Sequence, residues 1–511
     1  MSVNSRAARP NLEYYKKQVK NLLAAARSGD EAALRRIRTH RADVNQSLAP
    51  TISRAQLAIA REEGFPSWPK FKAYIDEQSL DFQQKVTAFI QNATLGDPHL
   101  AYELLRDNPT IATANLHTAL VTGDVEQVTR LLSKADINLV GGPLKWPPIL
   151  YVCFTRMARV DEAVKQKLAE CGKFLLKHGS DPNCGFLTSG PHPEFESALY
   201  GASSVSCNAA LTALLVMHGA DVNDTEVAYH APEAANTGAL TILVETGKLN
   251  RDSLATMLLR KIDWHDFGGV RYLLEHGADP NYAGQWPFTP LHKAVARDNS
   301  IETLELLLNH SADPTVVCMG LSVTARAARR GRADFLTLCE KRALPITLTG
   351  IEALIAAFAR GNAAATNREE FQAISDMGGT LLAEFAGNGN TAGVRRLLDL
   401  GIDIAARYTG DGYFNIAEDS TSLHVAAWRA RHETVKYLIE RGAPVDAVDA
   451  RGQTPLMLAV RACVDSYWAD RRTPESVASL LSAGATVEGI DYPSGYIEVD
   501  QLLEVSHLFN P

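Results

Sequence analysis

The densest group of residues that could perform chemistry is the run Asp263-Trp264-His265-Asp266. Two carboxylates and an imidazole could hold a metal ion or act as acid and base. Adjacent residues on a helix point in different directions, however, so these side chains would not converge on one ligand. The sequence also lacks the Gly-rich phosphate loop, the Gly-x-Ser-x-Gly turn and the His-Glu-x-x-His zinc motif. We therefore predict that the chain has no metal site, no cofactor and no enzymatic activity.

A second set of residues has side chains suited to binding rather than catalysis. Aromatic and arginine residues gather in the segments 405–420 and 462–475 and in the short stretch between them. Such residues dominate the energetic hot spots of protein interfaces, and arginine can also grip a carboxylate through two parallel hydrogen bonds. The candidates are Tyr413, Phe414, Trp428, Arg429, Tyr467, Trp468, Arg471 and Arg472. Either they form one contact patch, or the two segments pack on one another and only shape the chain.

A smaller candidate patch lies near the middle of the chain. It consists of Trp286, Phe288 and Arg297. Because these residues flank a turn, local packing of that turn is the favoured interpretation, and contact with a partner is the alternative.

The elements that must position these residues are repeats. The phrase Leu-Leu-x-x-x-Gly-Ala-Asp-x-Asn recurs, with small changes, at 175–183, 214–223 and 273–281. A phrase that returns at such spacing is typical of an array of small stacked units rather than of one enzyme core.

One unit shows how such a repeat folds. Thr421 can cap a first helix through its hydroxyl group. Val435, Leu438 and Ile439 follow at three- and four-residue spacing, which gives a second helix one apolar face. Gly442 then ends that helix, because a left-handed position favours a residue without a Cβ atom. One helix pair cannot bury its own apolar faces, so the units are stable only when stacked.

The unit 421–443 resembles the ankyrin repeat, whose consensus opens Thr-Pro-Leu-His-x-Ala-Ala and closes Leu-Leu-x-x-Gly-Ala-Asp. The segments 289–294 and 454–459 are two further openings. The resemblance implies an all-α solenoid of roughly thirteen stacked helix pairs with atypical terminal caps. It also implies that His292 and His424 bond to backbone across the turns. The segment 55–68 resembles those that precede bacterial ankyrin arrays.

The closing phrases predict three regions. Residues 1–80 form a helical cap with degenerate repeats, 81–365 form a first array, and 366–511 form a second array with long insertions and a closing helix. The pattern fades at 320–376. This stretch is either ordinary sequence drift or a softer joint between two halves.

Composition predicts a cytoplasmic protein without membrane insertion. The chain is 46% hydrophobic and 22% charged, and it contains no stretch of about 20 apolar residues that could span a bilayer. Its seven cysteines include no Cys-x-x-Cys pair, as expected in a reducing compartment.

Charge argues against nucleic acid as a partner. The net charge is −8, with residues 1–72 basic and the remainder strongly acidic. The basic segment either docks on an acidic surface or is simply a solvated helix face.

These observations favour a protein-binding module. As the resemblance implies, a protein or peptide partner would bind the concave face and the loop fingers of the array. The alternative is a small-molecule-binding or sensory site in the C-terminal repeats, and a weaker third hypothesis is a purely structural spacer.

Overall fold

The structure is a computed structural model that describes residues 12–39, 50–78, 80–132, 137–234, 237–346, 348–466 and 468–509. Contacts divide the chain into two compact units. The first unit comprises Met1–Val227 with Gly238–Glu245, and the second comprises Ala228–Thr237 with Thr246–Pro511. Helices account for 60% of the chain and strands for 3%, which confirms the all-α prediction.

Helices of the first unit follow one another in short pairs. They are α1 (Leu12–Arg27), α2 (Glu31–Thr39), α3 (Ile52–Glu62), α4 (Trp68–Gln78), α5 (Phe82–Thr94), α6 (Pro98–Asp107), α7 (Leu116–Thr122), α8 (Val125–Leu131), α9 (Pro148–Cys153), α10 (Glu162–Lys177), α11 (Ala198–Tyr200), α12 (Ala209–Met217), α13 (Thr225–His230), which crosses the boundary, and α14 (Gly238–Glu245). A hairpin pairs β1 (Gly185–Leu187) antiparallel with β2 (Phe195–Ser197). Helices α1 to α4 share one apolar core, built around residues such as Leu22, Ile59 and Phe71.

The second unit continues the same pattern. Its helices are α15 (Arg251–Asp263), α16 (Phe267–Glu275), α17 (Pro290–Ala296), α18 (Ile301–Asn309), α19 (Val323–Arg329), α20 (Ala333–Lys341), α21 (Gly350–Ala359), α22 (Arg368–Asp376), α23 (Thr380–Gly387), α24 (Thr391–Leu400), α25 (Ser422–Trp428), α26 (His432–Glu440), α27 (Pro455–Asp465), α28 (Glu475–Ser482) and α29 (Ile497–Phe509). A short hairpin pairs β3 (Val317–Cys318) with β4 (Leu321–Ser322). Among the described residues, no helix is both long and apolar enough to cross a lipid bilayer.

Local sequence signals explain where the helices begin and end. The hydroxyl oxygen of Thr421 accepts a hydrogen bond from the backbone N–H of His424 and so caps α25. Val435 and Leu438 on α26 are fully buried, and Gly442 follows that helix with φ at +84°. The helix caps and the apolar face that the sequence predicts are thereby confirmed.

The repeated histidines link one unit to the next. His424 Nε2 donates to the carbonyl oxygen of Gln453 at 3.0 Å, and His292 Nε2 donates to that of Leu321 at 3.2 Å. Burial lowers the pKa of both imidazoles, so both are neutral at pH 7. The predicted backbone-bonding role of both residues is confirmed.

The asparagine of the recurring phrase has a similar linking role. In the first unit, Asn183 Nδ2 donates to Gly219 O at 3.0 Å, and Asn183 Oδ1 accepts from the backbone N–H of Asp221 at 2.8 Å. The amide thus satisfies one donor and one acceptor in the next turn. This explains why asparagine recurs at the end of the phrase.

The pair α21 and α22 interrupts the row of helix pairs in the second unit. Asn388 donates to Arg330 O at 2.9 Å and Asn390 donates to Gly331 O at 2.7 Å. The ends of α19 and α23 are therefore bonded directly, although three helices, α20 to α22, separate them in sequence. A Cβ atom on Gly331, where φ is +70°, would lie 2.8 Å from Phe385 Cδ1, so this close approach requires glycine.

This interruption falls in the stretch where the repeat pattern fades. The stretch 320–376 is helical over α19 to α22. The boundary between the two compact units lies at 227–246, within the predicted first array. The three-part division at residues 80 and 365 stays a prediction.

A candidate ligand-binding cavity in the second unit

The second unit contains a cavity of about 890 Å³. It lies where the first helix of successive pairs ends. The wall is formed by residues 263–265 after α15, 298–301 after α17, 331–334 after α19, Asn388 and Asn390 after α23, and Arg431 after α25. Successive turns thus bring residues from distant parts of the sequence to one surface.

The finger, defined here as residues 405–420, closes one side of this cavity. Backbone bridges between Tyr408 and Ser420 and between Asp411 and Ile416 hold its two arms together. At its tip, the Tyr413 hydroxyl donates to the carbonyl oxygen of Asp263 at 2.6 Å. The guanidinium carbon of Arg297 also lies 3.5 Å from the centre of the Tyr413 ring. The finger therefore reaches back to the end of α15.

The C-terminal insertion, defined here as residues 466–473, packs against the finger. Phe414, Trp428 and Trp468 are only 3%, 2% and 8% exposed and belong to one apolar cluster. The indole N–H of Trp428 donates to Phe414 O at 2.6 Å. The finger and the insertion thus pack on one another, and these three aromatic residues have little surface left for a macromolecular partner. Phe414 and Trp468 do line the cavity.

A buried ion network lies at the cavity wall. Asp298 is 2.6 Å from both Arg330 and Arg429, and Arg330 is also 3.0 Å from Glu384. Burial raises the pKa of Asp298, but the two guanidinium groups outweigh burial and hold that pKa well below its usual range. The guanidinium of Arg429 also lies 4.3 Å from the centre of the Phe414 ring. The network ties α17, α19, α23 and α25 together beneath the finger.

The side chains of the run Asp263-Trp264-His265-Asp266 do not converge on one point. Asp263 lies within 3.2 Å of Lys293, Arg260 and Arg297. Asp266 instead pairs with Lys261 at 2.7 Å. The predicted divergence of these side chains is therefore confirmed. Over the residues that the structure describes, no group of three or more His, Cys, Asp or Glu side chains could hold a metal ion.

Three arginines of the cavity wall, Arg332, Arg431 and Arg471, donate fewer hydrogen bonds to the described residues than their guanidinium groups could. Arg332 binds Asp334 through Nε and Nη2, which leaves its buried Nη1 without a partner. The Nη1 of Arg471 is likewise buried and unpaired, and the nearest carboxylate, Asp470, is 3.8 Å from its Nε. Guanidinium groups remain charged at neutral pH. Unpaired donors of this kind make the wall attractive to an anion.

Arg431 is the third of these arginines. Its Nε donates to Gly387 O at 2.8 Å, and no carboxylate of the described residues lies within 4.0 Å of it. Burial, together with the charges of Arg429 and Arg471, lowers the pKa of Arg431 well below its usual range. The folded protein therefore holds this cation at a cost that a nearby negative charge would relieve.

The structure brings four of the predicted binding residues to the cavity. Tyr413, Phe414, Trp468 and Arg471 line it. Arg429 is buried with Asp298 at the base of the finger. Three predicted residues of this region remain. Trp428 donates to Phe414 O, Arg472 donates to the carbonyl oxygen of Ser466, and Tyr467 is outside the described residues.

Two of the three mid-chain candidates lie apart from the cavity. Trp286 donates from its indole N–H to Thr256 Oγ1 at 3.1 Å, and Phe288 lies 4.7 Å from the guanidinium carbon of Arg326. These are local packing contacts. Arg297, by contrast, donates from Nε to the carboxylate of Asp263, which lines the cavity.

The sequence analysis did not single out several wall residues, including Arg332, Arg431, Asn388 and Asn390, and it considered Trp264 only as part of a possible metal or acid–base cluster. Most of them occupy the turn that follows the first helix of a pair. This shared position within the repeat can be read from the sequence. Comparing this position across the units would have assigned Arg332 and Arg431 to the same place in their repeats, but not to one cavity.

Comparisons with known proteins agree with the helix-pair architecture. The family described as Ankyrin repeats (3 copies) matches residues 386–488, and Ankyrin repeats (many copies) matches residues 258–308. The chain is also similar to three curated proteins over short segments. Identity is 37% over 83 residues to Serine/threonine-protein kinase 12 of Arabidopsis thaliana. It is 47% over 53 residues to the BCL-6 corepressor-like protein 1 of Homo sapiens. It is 33% over 117 residues to the Probable E3 ubiquitin-protein ligase XBOS32 of Oryza sativa subsp. japonica.

These matches are partial in both directions. They cover 16%, 10% and 23% of this chain, and 16%, 3% and 21% of the three relatives. Among solved structures, the human ASB11 ankyrin repeat domain matches with a TM-score of 0.22 and 19% identity, over 49% of this chain and 96% of that one. The two family matches fall on helix pairs of the second unit, where the helix caps, bridging histidines and turn glycines have the expected positions. The chain therefore contains ankyrin repeats, matched at residues 258–308 and 386–488.

Proposed function

We propose that this chain is a protein-binding module and that the cavity in the second unit, with the finger and the insertion around it, receives a peptide segment of the partner. Ankyrin repeats are generally protein–protein interaction modules. The observation that carries the proposal is the closure of the finger and the insertion over the ends of α15, α17 and α25, which leaves a cavity of about 890 Å³. A recess of this size beside a folded array accommodates one or two side chains of a peptide.

The residues at the cavity have the properties of a hot spot. Trp264 is 51% exposed and lines the cavity, so its ring is available to a ligand. Tyr413 and Trp468 supply further aromatic wall, and Arg471 supplies a cation. Interface energy concentrates on aromatic and arginine side chains at the edge of well-packed pockets. We assign Trp264, Tyr413 and Arg471 to contact with the partner, and we assign Trp468, Arg297 and Arg429 to holding the finger in place.

The test uses peptides selected against the full chain from a displayed random library. Selected peptides are titrated by fluorescence anisotropy against wild type, Trp264→Ala and Trp286→Ala. The second variant is a matched control, because Trp286 packs on Thr256 away from the cavity. We expect the Trp264 variant to bind about tenfold more weakly, as is typical of a hot-spot tryptophan, and the Trp286 variant to match wild type. Equal affinity for all three proteins would refute this assignment.

A small-molecule or sensory role is the second candidate function. The observation that favours it is the size of the cavity, which lies within the range of roughly 300–1,000 Å³ typical of small-molecule sites. A compound library screened by thermal shift would test it. A stabilising compound whose effect is lost in both Trp468→Ala and Arg471→Ala would support this role over peptide binding.

We also propose that the protein works in the cytosol. All seven cysteines are free thiols, and burial raises the pKa of those at positions 171 and 184 to about 12. Such thiols are suited to a reducing compartment and to packing rather than to reactivity.

A further inference from the structure

We propose that the cavity is an anion site, in which Arg332, Arg431 and Arg471 hold the phosphate group of a phosphate monoester. The inference rests on the proposed function in one respect, because it takes the same cavity as the ligand site. It adds the chemical class of the group that the cavity receives.

Some guanidinium nitrogens of the cavity wall have no hydrogen-bond partner among the described residues. The Nη1 atoms of Arg332 and Arg471 are buried without a hydrogen-bond partner. Arg431 uses only Nε, in its bond to Gly387 O. Buried donors without an acceptor are rare in folded proteins and commonly mark a site for an absent ion or ligand. Among the described residues of this wall, the buried atoms without a partner belong to Arg332, Arg471 and, through its Nε, Arg260; no atom of Arg431 is among them.

The second step is that the carboxylates of the wall cannot supply the missing acceptors. Asp263 is engaged by one lysine and two arginines, and Asp298 is engaged by two arginines. Asp334 already accepts from Nε and Nη2 of Arg332. The negative charge of the wall is thus used by neighbouring cations. The remaining wall carboxylate, Asp470, is 80% exposed and lies 3.8 Å from Arg471 Nε, and Nη1 of Arg471 stays without a partner among the described residues.

The third step concerns the kind of anion. The three arginines come from different elements: the turn after α19, the turn after α25 and the insertion. All three line the same cavity, and the charges of Arg471 and Arg332 contribute to the lowered pKa of Arg431. A planar carboxylate with one charge is suited to a single guanidinium fork. A phosphate monoester has three terminal oxygens and a charge of about −1.5 to −2 at pH 7, so it can accept from several directions.

The fourth step concerns the organic part of the ligand. A cavity of about 890 Å³ is much larger than a phosphate group. Trp264, Tyr413 and Trp468 add aromatic surface to the same wall. Aromatic rings stack favourably with other rings in offset or edge-to-face geometry. The arrangement therefore favours a phosphate attached to a flat or apolar group rather than free phosphate alone.

Isothermal titration of the full chain tests the inference with four probes: inorganic phosphate, phenyl phosphate, benzoate and a phosphotyrosine-containing peptide. The variants are Arg431→Gln and Arg471→Gln, with Arg368→Gln as the matched control, because Arg368 is exposed at the start of α22. We expect phenyl phosphate to bind wild type at least tenfold more tightly than benzoate. Each cavity variant should lose at least about tenfold in affinity, as expected for charge-assisted bonds, and Arg368→Gln should match wild type.

Two further measurements sharpen this test. Binding of phenyl phosphate should weaken as the pH falls below about 6, where a phosphate monoester loses its second charge. Arg431→Lys, which keeps the charge, should bind more tightly than Arg431→Gln. Circular dichroism of every variant establishes that lost affinity is not lost folding. A phosphopeptide that binds tenfold more tightly than phenyl phosphate identifies a phosphorylated protein as the source, whereas equal affinity identifies a small phosphorylated compound.

The failures of the two proposals can be distinguished. If no phosphate compound binds while library peptides still bind in a Trp264-dependent manner, the phosphate inference is overturned and the proposed function stands. If phosphates bind in an Arg431-dependent manner but no peptide does, the anion site stands and peptide binding fails. Equal affinity for benzoate and phenyl phosphate, or for Arg431→Gln and Arg368→Gln, would also overturn the inference.

Discussion

The carboxylate of Asp298 offers the sharpest test of how the second unit is held together. Its side chain is 2% exposed and lies 2.6 Å from both Arg330 and Arg429. Asp298→Asn keeps the size of the side chain, and asparagine tolerates the left-handed backbone at this position, where φ is +53°. The substitution removes the negative charge and replaces one of the two oxygens that accept from Arg330 by an NH2 donor. Arg330 retains Glu384 as a partner, but Arg429 has no other carboxylate within 4.0 Å among the described residues.

The expected cost follows from these contacts. Removing one partner of a buried ion pair typically costs about 3–5 kcal/mol, because the other charge is left buried and uncompensated. Hydrogen exchange read by mass spectrometry can locate this loss. We expect the free energy of opening to fall by about 3–5 kcal/mol in α17, α19 and α25, with little change in the first unit, because stacked repeats interact mainly with their neighbours. Asp419→Asn is the matched control, since Asp419 is exposed and also has a positive φ, of +60°.

The same substitution predicts a pH dependence. The pKa of Asp298 is lowered in the folded state, so its contribution is fully present above the unfolded pKa of about 3.9 and is lost as the pH falls below that value. The difference in stability between wild type and Asp298→Asn should therefore be constant from pH 7 to pH 5 and shrink below about pH 4. A difference below about 1 kcal/mol at pH 7, where a surface ion pair would suffice to explain it, would refute this reasoning. An equal effect of Asp419→Asn would refute it as well.

Three further substitutions test the cost of a buried cation, a close backbone approach and the apolar core of a repeat. Arg431→Gln should increase the free energy of unfolding by about 1–3 kcal/mol, because it removes an uncompensated buried cation. Differential scanning fluorimetry should show this as a higher thermal midpoint, and a lower midpoint would contradict it. Gly331→Ala should cost about 1–3 kcal/mol in urea unfolding, since it strains the left-handed backbone and crowds Phe385, whereas Gly412→Ala, which meets open space, should be neutral. Leu438→Ala, at a fully buried position, should cost about 2–5 kcal/mol and loosen the C-terminal repeats first; uniform loss of hydrogen-exchange protection would contradict this.

Several features could be predicted from the sequence because they depend on contacts within one repeat or between adjacent repeats. Thr421 caps the helix that begins at the next residue by accepting from a backbone N–H three residues ahead, and Gly442 ends a helix that begins ten residues earlier. His424 reaches the backbone of the next repeat, at Gln453. Such contacts recur with the repeat, so each copy of the pattern reinforces the others. The all-α architecture followed from these signals.

The binding residues could be predicted only in part. Sequence reasoning singled out the aromatic and arginine residues of the finger and the insertion, and Tyr413, Phe414, Trp468 and Arg471 do meet at the cavity. It could not separate buried from exposed aromatic residues, because apolar cores and interface hot spots favour the same side chains. Only the packing of Trp428 beneath the finger decides that its ring is unavailable to a partner.

The sequence by itself determined the repeat, its helix caps, its turns and the contacts that join one unit to the next. The tertiary structure decided which distant turns face one another. Tyr413 bonds to Asp263, 150 residues away, and Asp298 pairs with Arg429. The position of α21 and the path of the finger set these contacts, and neither follows from a pattern of period about 33. The charge balance of the cavity depends on those distances, so its unpaired arginines became visible only in the folded chain.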